Sequence, residues 1–167
     1  VEGGEAYIGG SGRDKITGLR TIVDGISAAA FLIGGDGDDI YEISRGAFAV
    51  VSDMGNGRDR VDLNSFNANA TYLADVEDDF MLATDLNSIV LFHDYEDVEE
   101  IAFGGRIYRT NELVDIAVRQ GAYLGSTSFD RLVDNGFLVP SLFDLDLSAD
   151  GITNLLNAAE RNSGIVF

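Results

Sequence analysis

The sequence predicts an all-β chain with a helical C-terminal extension, on three observations. Residues 9–17, GGSGRDKIT, and 34–42, GGDGDDIYE, repeat one order of glycines and aspartate, a density that weakens any helix and marks tight turns. Between residues 60 and 109 apolar residues recur at every second place, as in Ile89 and Leu91 or Ile101 and Phe103. That is the period of a strand with one buried face. Beyond residue 109 the apolar spacing turns helical, and the only proline, Pro140, falls there.

Composition narrows the setting. The 167 residues are 46% hydrophobic, which suits one domain, or one and a half, with a real core. Asp and Glu total 29 against 11 Lys and Arg, a formal net charge of −18. Nucleic acid and anionic lipid both need a basic face, so neither is expected as a partner. No apolar run reaches the roughly 18 residues that membrane insertion needs. The hydrophobic fraction is too high for a disordered acidic tail. The charge therefore sits on a solvated acidic surface or is neutralised by bound cations. The absence of cysteine excludes disulfides and thiolate metal sites and fits a protein that avoids thiol chemistry outside the cell. No N-terminal segment reads as a secretory signal peptide. The chain opens on Val1 rather than Met, as expected of a processed product or a piece of something longer.

The turns come first in chain order. Residues 1–8, VEGGEAYI, are a worn copy with Gly3, Glu5 and Tyr7 at the fourth, sixth and eighth places. Residues 9–17 and 34–42 carry Asp14 and Asp39 at the sixth place and Ile16 and Tyr41 at the eighth. Residues 54–62, MGNGRDRVD, match with Asp59 and Val61, except that Met54 replaces the first glycine. A glycine-rich loop can cradle phosphate. Here Asp36, Asp38 and Asp39 would repel it, and no Gly-Lys-Ser/Thr follows. A hard cation is attracted instead, and calcium takes oxygens from backbone carbonyls and carboxylates alike.

The pattern Gly-Gly-x-Gly-x-Asp-x-apolar-x resembles the calcium-binding nonapeptide of the repeats-in-toxin (RTX) family. The resemblance is direct over residues 1–62. Val98–Tyr108 is similar to the strand pair that often closes such repeats, which extends the likeness to about residue 115. The resemblance implies a short, irregular, calcium-binding parallel β-roll followed by antiparallel strands. Two nonapeptides of about nine residues would form one coil, with Ca2+ between turns stacked on the same edge. The implied ligand positions are Gly9, Ser11, Gly12 and Asp14, then Gly34, Gly35, Asp36, Gly37 and Asp39, and finally Gly57 and Asp59. Gly34 and Met54 are 20 residues apart, one coil plus two, so Asp39 and Asp59 are expected to face a shared ion. Gly9 and Gly34 are 25 apart, which fits neither one coil nor one and a half. Residues 18–33 therefore read as a coil with an insertion, which weakens the expectation of a site at the first turn.

The middle of the chain reads as antiparallel sheet: RVDLNSF (60–66), FMLATD (80–85), SIVLFHDY (88–95), VEEIAFGG (98–105) and RIYRT (106–110). Gly104-Gly105 suits a two-residue hairpin. His93, the only histidine, lies beside Asp94, Glu96 and Asp97, where a zinc ligand or general base is conceivable. It has no second histidine or cysteine and no nucleophile in a partner motif, so it reads as a surface loop residue. Two domains are expected, the roll with its closing strands over 1–109 and a helical extension over 110–167. The helices read are TNELVDIAVRQG (110–121), STSFDRLVDNG (126–136) and SADGITNLLNAAERNSG (148–164), each ending on glycine. DLDLSAD (144–150) invites an EF-hand reading, but Ala149 and Leu155 occupy the places that need Gly and Glu. The last helix with its apolar end looks like the uncleaved export signal of type I secretion substrates, or serves as an assembly or capping segment.

No nucleophile–base pair is visible, so no enzyme is expected. The function read from the sequence is a non-catalytic calcium-binding structural module of a secreted RTX-like protein, extracellular or at the cell surface, folded and stiffened by calcium. One alternative is a self-assembling surface-layer or filament subunit joined through roll ends. Another is the C-terminal module of a secreted protease, lipase or epimerase, whose other domains lie upstream.

Overall fold

The computed structural model describes residues 5–23, 26–52, 55–76, 80–93 and 98–138. The strands are β1 (Glu5–Ile8), β2 (Lys15–Gly18), β3 (Thr21–Val23), β4 (Ile26–Ile33), β5 (Ile40–Ile43), β6 (Phe48–Ser52) and β7 (Arg60–Asp62). They continue as β8 (Tyr72–Val76), β9 (Phe80–Thr84), β10 (Ile89–His93), β11 (Glu100–Phe103), β12 (Arg106–Arg109) and β13 (Tyr123–Thr127). Two helices are described, α1 (Thr110–Gln120) and α2 (Phe129–Asp134). The fold is largely all-β.

The strands form two mixed sheets. One has the order β1-β4-β6-β10-β9-β8-β13, with β3 paired to β4; the other has the order β12-β11-β7-β5-β2. In the first, β1, β4, β6 and β10 are mutually parallel. In the second, β2, β5, β7 and β11 are mutually parallel. Along the chain these eight strands alternate between the sheets.

The expectation of antiparallel sheet after residue 60 is corrected in part. β7, β10 and β11 pair in parallel with earlier strands, and antiparallel pairing there joins β8 to β9, β9 to β10 and β11 to β12. After β7 the chain spends residues 63–88 on β8 and β9 before returning as β10 beside β6. Local alternation cannot reveal this, because strand direction depends on what lies between strands.

Burial explains the composition of the strands. The eighth-place residues Ile16, Tyr41 and Val61 are buried, as is Ile101, and they meet Leu32, Val51 and Phe92 of the facing sheet in one cluster. On the other face of the larger sheet, Phe31, Phe48, Leu82 and Leu91 pack with Phe129, Leu132 and Leu138. A sheet covered on both faces carries uninterrupted apolar runs, as in residues 29–33 and 48–51. β10 is therefore not half-buried as its alternation suggested: Val90 and Phe92 are as inaccessible as Ile89 and Leu91.

Gly104 and Gly105 join β11 to β12 with φ of 59° and 80°, and Phe103 pairs with Arg106 across this two-residue turn. α1 starts without a side-chain cap, because its N-cap residue is Arg109, which has no acceptor oxygen; the hydroxyl of Thr110, the first helical residue, donates to the carbonyl of Val98. Gly121, at φ 70°, ends it in the left-handed conformation. α2 is capped by Ser128, whose Oγ accepts from the N–H of Arg131. Across position 109 the chain stays tied to the sheets. Leu113 and Ala117 of α1 enter the inter-sheet cluster, and β13 pairs in parallel with β8. Pro140, the 144–150 segment and the helix expected over 148–164 lie outside the described residues. Among the described residues, no helix is long and apolar enough to cross a membrane.

Candidate metal centre

The turns over 9–14, 34–39 and 55–59 lead into β2, β5 and β7, whose register aligns Lys15 with Ile40 and Ile40 with Arg60. That alignment stacks the sixth-place acids. The N–H of Asp14 donates to Oδ1 of Asp39 at 2.8 Å, and the N–H of Asp39 donates to Oδ1 of Asp59 at 2.7 Å. A further rung follows, where the N–H of Asp59 donates to Oε2 of Glu99 at 2.7 Å. Backbone bonds run beside these: Ile40 N–H to Asp14 O, Arg60 N–H to Asp39 O and Glu100 N–H to Asp59 O, at 2.9, 2.9 and 3.0 Å. Four carboxylates thus form a ladder along one edge. At its start Asp14 folds back, its Oδ2 accepting from the N–H of Gly10 at 2.8 Å.

The glycines are required by the closeness of the turns. A Cβ at Gly37 would lie 1.9 Å from the carbonyl oxygen of Gly12, and one at Gly57 would lie 1.9 Å from that of Gly37. At Gly35 and Gly55 the blocking atoms are the carbonyl oxygens of Gly10 and Gly35, at 2.4 and 1.8 Å. Gly35 and Gly37 also have φ of 97° and 134°, which side chains disfavour. At Gly34 a Cβ would strike Oδ2 of Asp39 and the Tyr41 hydroxyl, and at Gly9 it would strike the carbonyl of Gly34 and Oδ2 of Asp14. The glycine spacing thus brings rows of carbonyl oxygens onto the neighbouring turn.

The remaining expected positions lie on the outer side of the stack. Ser11 bridges to Asp36, whose carbonyl accepts from the N–H of Gly12 at 2.7 Å. Asp36 Oδ1 accepts from the backbone N–H of Asn56 at 3.2 Å, and Gly37 N–H donates to Asn56 O at 2.8 Å. Asp38, which is not among the implied ligand positions, accepts from the N–H of Arg58 at 3.1 Å.

Residues 18–33 read as a coil with an insertion that puts the first site in doubt, yet the first turn stacks in step with the second. β3 pairs antiparallel with the start of β4, Thr21 opposite Ala28, so the additional residues form a side hairpin. Asp14 then stands to Asp39 as Asp39 stands to Asp59. Sequence reading also missed Glu99. Its signal was an acid two places before a buried apolar residue: Asp14 and Ile16, Asp39 and Tyr41, Asp59 and Val61, then Glu99 and Ile101.

Asp39 is wholly buried and Asp59 nearly so. Burial pushes the Asp39 carboxyl above its ordinary value of 3.8, and Asp59, Asp14 and Asp38 push it further; the N–H of Asp14 opposes this. Oδ2 of Asp39 is buried with no hydrogen-bond partner among the described residues. Among those residues no three carboxylate or imidazole groups form a metal cluster. A cation here would need carbonyl oxygens for most of its shell, which is what calcium accepts. The donor set fits at Asp39, where one carboxylate oxygen lacks a hydrogen bond among the described residues. It fits less well at Asp14, whose Oδ2 is engaged within its own turn.

His93 ends β10 rather than sitting in a surface loop. Its Nδ1 lies 3.4 Å from Ser52 Oγ, and its ring lies 5.1 Å from that of Phe80. It is partly exposed and belongs to no metal cluster among the described residues.

No family model matches this chain, and neither does any curated protein or solved structure.

Proposed function

We propose that the chain is a calcium-binding structural module built on a short parallel β-roll, of the kind its nonapeptides resemble. Each passage from a strand of the larger sheet, through a Gly/Asp turn, to a strand of the smaller sheet is then one side of a coil. The alternation of β1, β2, β4, β5, β6, β7, β10 and β11 between the sheets supports this winding. Calcium would be held between the second and third turns by Asp39 and Asp59, with carbonyl oxygens of the glycine-rich turns completing its shell. The ion would supply positive charge to a stack of carboxylates that otherwise repel one another.

The observation that carries this reading is the buried Asp39 Oδ2, without a hydrogen-bond partner among the described residues, inside a ladder of acids. A buried carboxylate oxygen left without a partner costs free energy, and a cation removes that cost. The net charge of −18 points the same way, as does the absence of cysteine. A secreted or cell-surface setting, where calcium is plentiful, follows from the same resemblance.

The test is calcium stoichiometry by isothermal titration calorimetry. Asp39→Ala and Asp59→Ala are each expected to remove about one ion, and the double variant little more, because the two residues share a site. Loss of two ions in the double variant would assign them to separate sites. Unchanged stoichiometry in all three would remove the ladder as a calcium site.

A further inference from the structure

A half-open pocket of about 250 Å³ lies between the segment after β7, β8, the β11–β12 hairpin and α1. Leu63, Leu73, Leu113 and Ala117 are buried around it, and the half-buried rings of Phe103 and Tyr108 line it too. Thr71, Gln120 and the hydroxyl-bearing Tyr108 supply its polar side chains, and among the described residues no charged one lines it. Gln120 is exposed, and the Thr71 hydroxyl donates to the carbonyl of Asn67 at 2.8 Å, so its oxygen can still accept.

For scale, an enclosed apolar cavity of roughly 150 Å³ takes up benzene. This one has room for a ring with a few further atoms. Water would find few polar partners in it, and an apolar guest would bury its surface against leucine and aromatic side chains. The charge of the chain selects further. With a net charge of −18 and no cation in the lining among the described residues, a carboxylate or phosphate is repelled and meets no counter-charge there.

We propose that this pocket binds a small uncharged molecule, one apolar ring bearing a single hydroxyl that donates to Thr71 or Gln120. The site is separate from the carboxylate ladder and does not rest on calcium binding.

The probe is benzyl alcohol, titrated into the full chain and followed by methyl NMR, with benzoate as its anionic counterpart. Saturable shifts are expected at Leu63, Leu73, Leu113 and Ile116, with benzoate binding more weakly by about tenfold or more. Ala117→Leu fills the pocket and is expected to abolish the saturable shifts while leaving the rest of the spectrum folded. If that variant fails to fold, Ala122→Leu, at a half-buried lining position, makes the same comparison. No saturable response to benzyl alcohol overturns the proposal. So does an equal response to benzoate, or wild-type binding in a folded pocket-filling variant.

Discussion

Asp39 accepts the N–H of Asp14 on one carboxylate oxygen, while its other oxygen is buried without a hydrogen-bond partner among the described residues. Burial and the neighbouring acids hold its pKa above the ordinary 3.8. A carboxyl raised in this way binds more protons in the folded than in the unfolded state between those two values. Its stabilising effect is full below 3.8 and is lost as pH rises through the raised value. In chelator, the melting temperature is therefore expected to fall as pH is raised from about 4 towards 7. Asp39→Asn should flatten part of that slope in circular dichroism melts. A slope identical to wild type would remove Asp39 as its source. At this scale the sequence was readable where glycine and aspartate recur, because close turn packing forbids a side chain at Gly37 and Gly57. Glu99 was not readable from the nonapeptide, since the ladder needs only an acid ahead of a buried apolar residue and the glycines are absent there.

Between elements, the stacking of turns sets how close strands approach. Gly37→Ala places a Cβ against the Gly12 carbonyl at an unfavourable φ of 134°. The backbone strain alone costs about 1–3 kcal/mol, and the collision adds to it. Gly10→Ala meets nothing within 4 Å and is expected to change stability by less than about 0.5 kcal/mol. Urea unfolding of the two variants checks the contrast, and equal stabilities would mean that the turns do not pack this closely. Strand direction was the part of the fold least legible in sequence. β10 and β11 showed their alternation, but their parallel pairing with β6 and β7 depends on the β8–β9 excursion between them. β4 and β6 lacked alternation because both of their faces are covered.

For the whole molecule, the ladder concentrates acids on one edge, while the described part of the C-terminal region closes the core. The boundary expected at residue 109 came from a change in apolar period, which reports the type of element and not where it packs. Removing everything after Arg109 would strip Leu113 from the inter-sheet cluster and Phe129, Leu132 and Leu138 from the outer face of the larger sheet. At about 1.5–3 kcal/mol for each large side chain, that loss rivals the whole stability of a domain. The truncated chain is expected to aggregate and to lose its cooperative melt in chelator. A soluble, cooperatively folded product would show that residues 1–109 hold together alone.

Thermal unfolding of the full chain in chelator and in excess calcium tests the calcium reading most directly. For one site at about 100 times its dissociation constant, binding adds about 2.7 kcal/mol, which for a chain of this size shifts the midpoint by roughly 5–10 °C. The expected result is a midpoint that rises with calcium concentration and a smaller rise in Asp39→Ala. Superimposable melting curves in chelator and in millimolar calcium would contradict it.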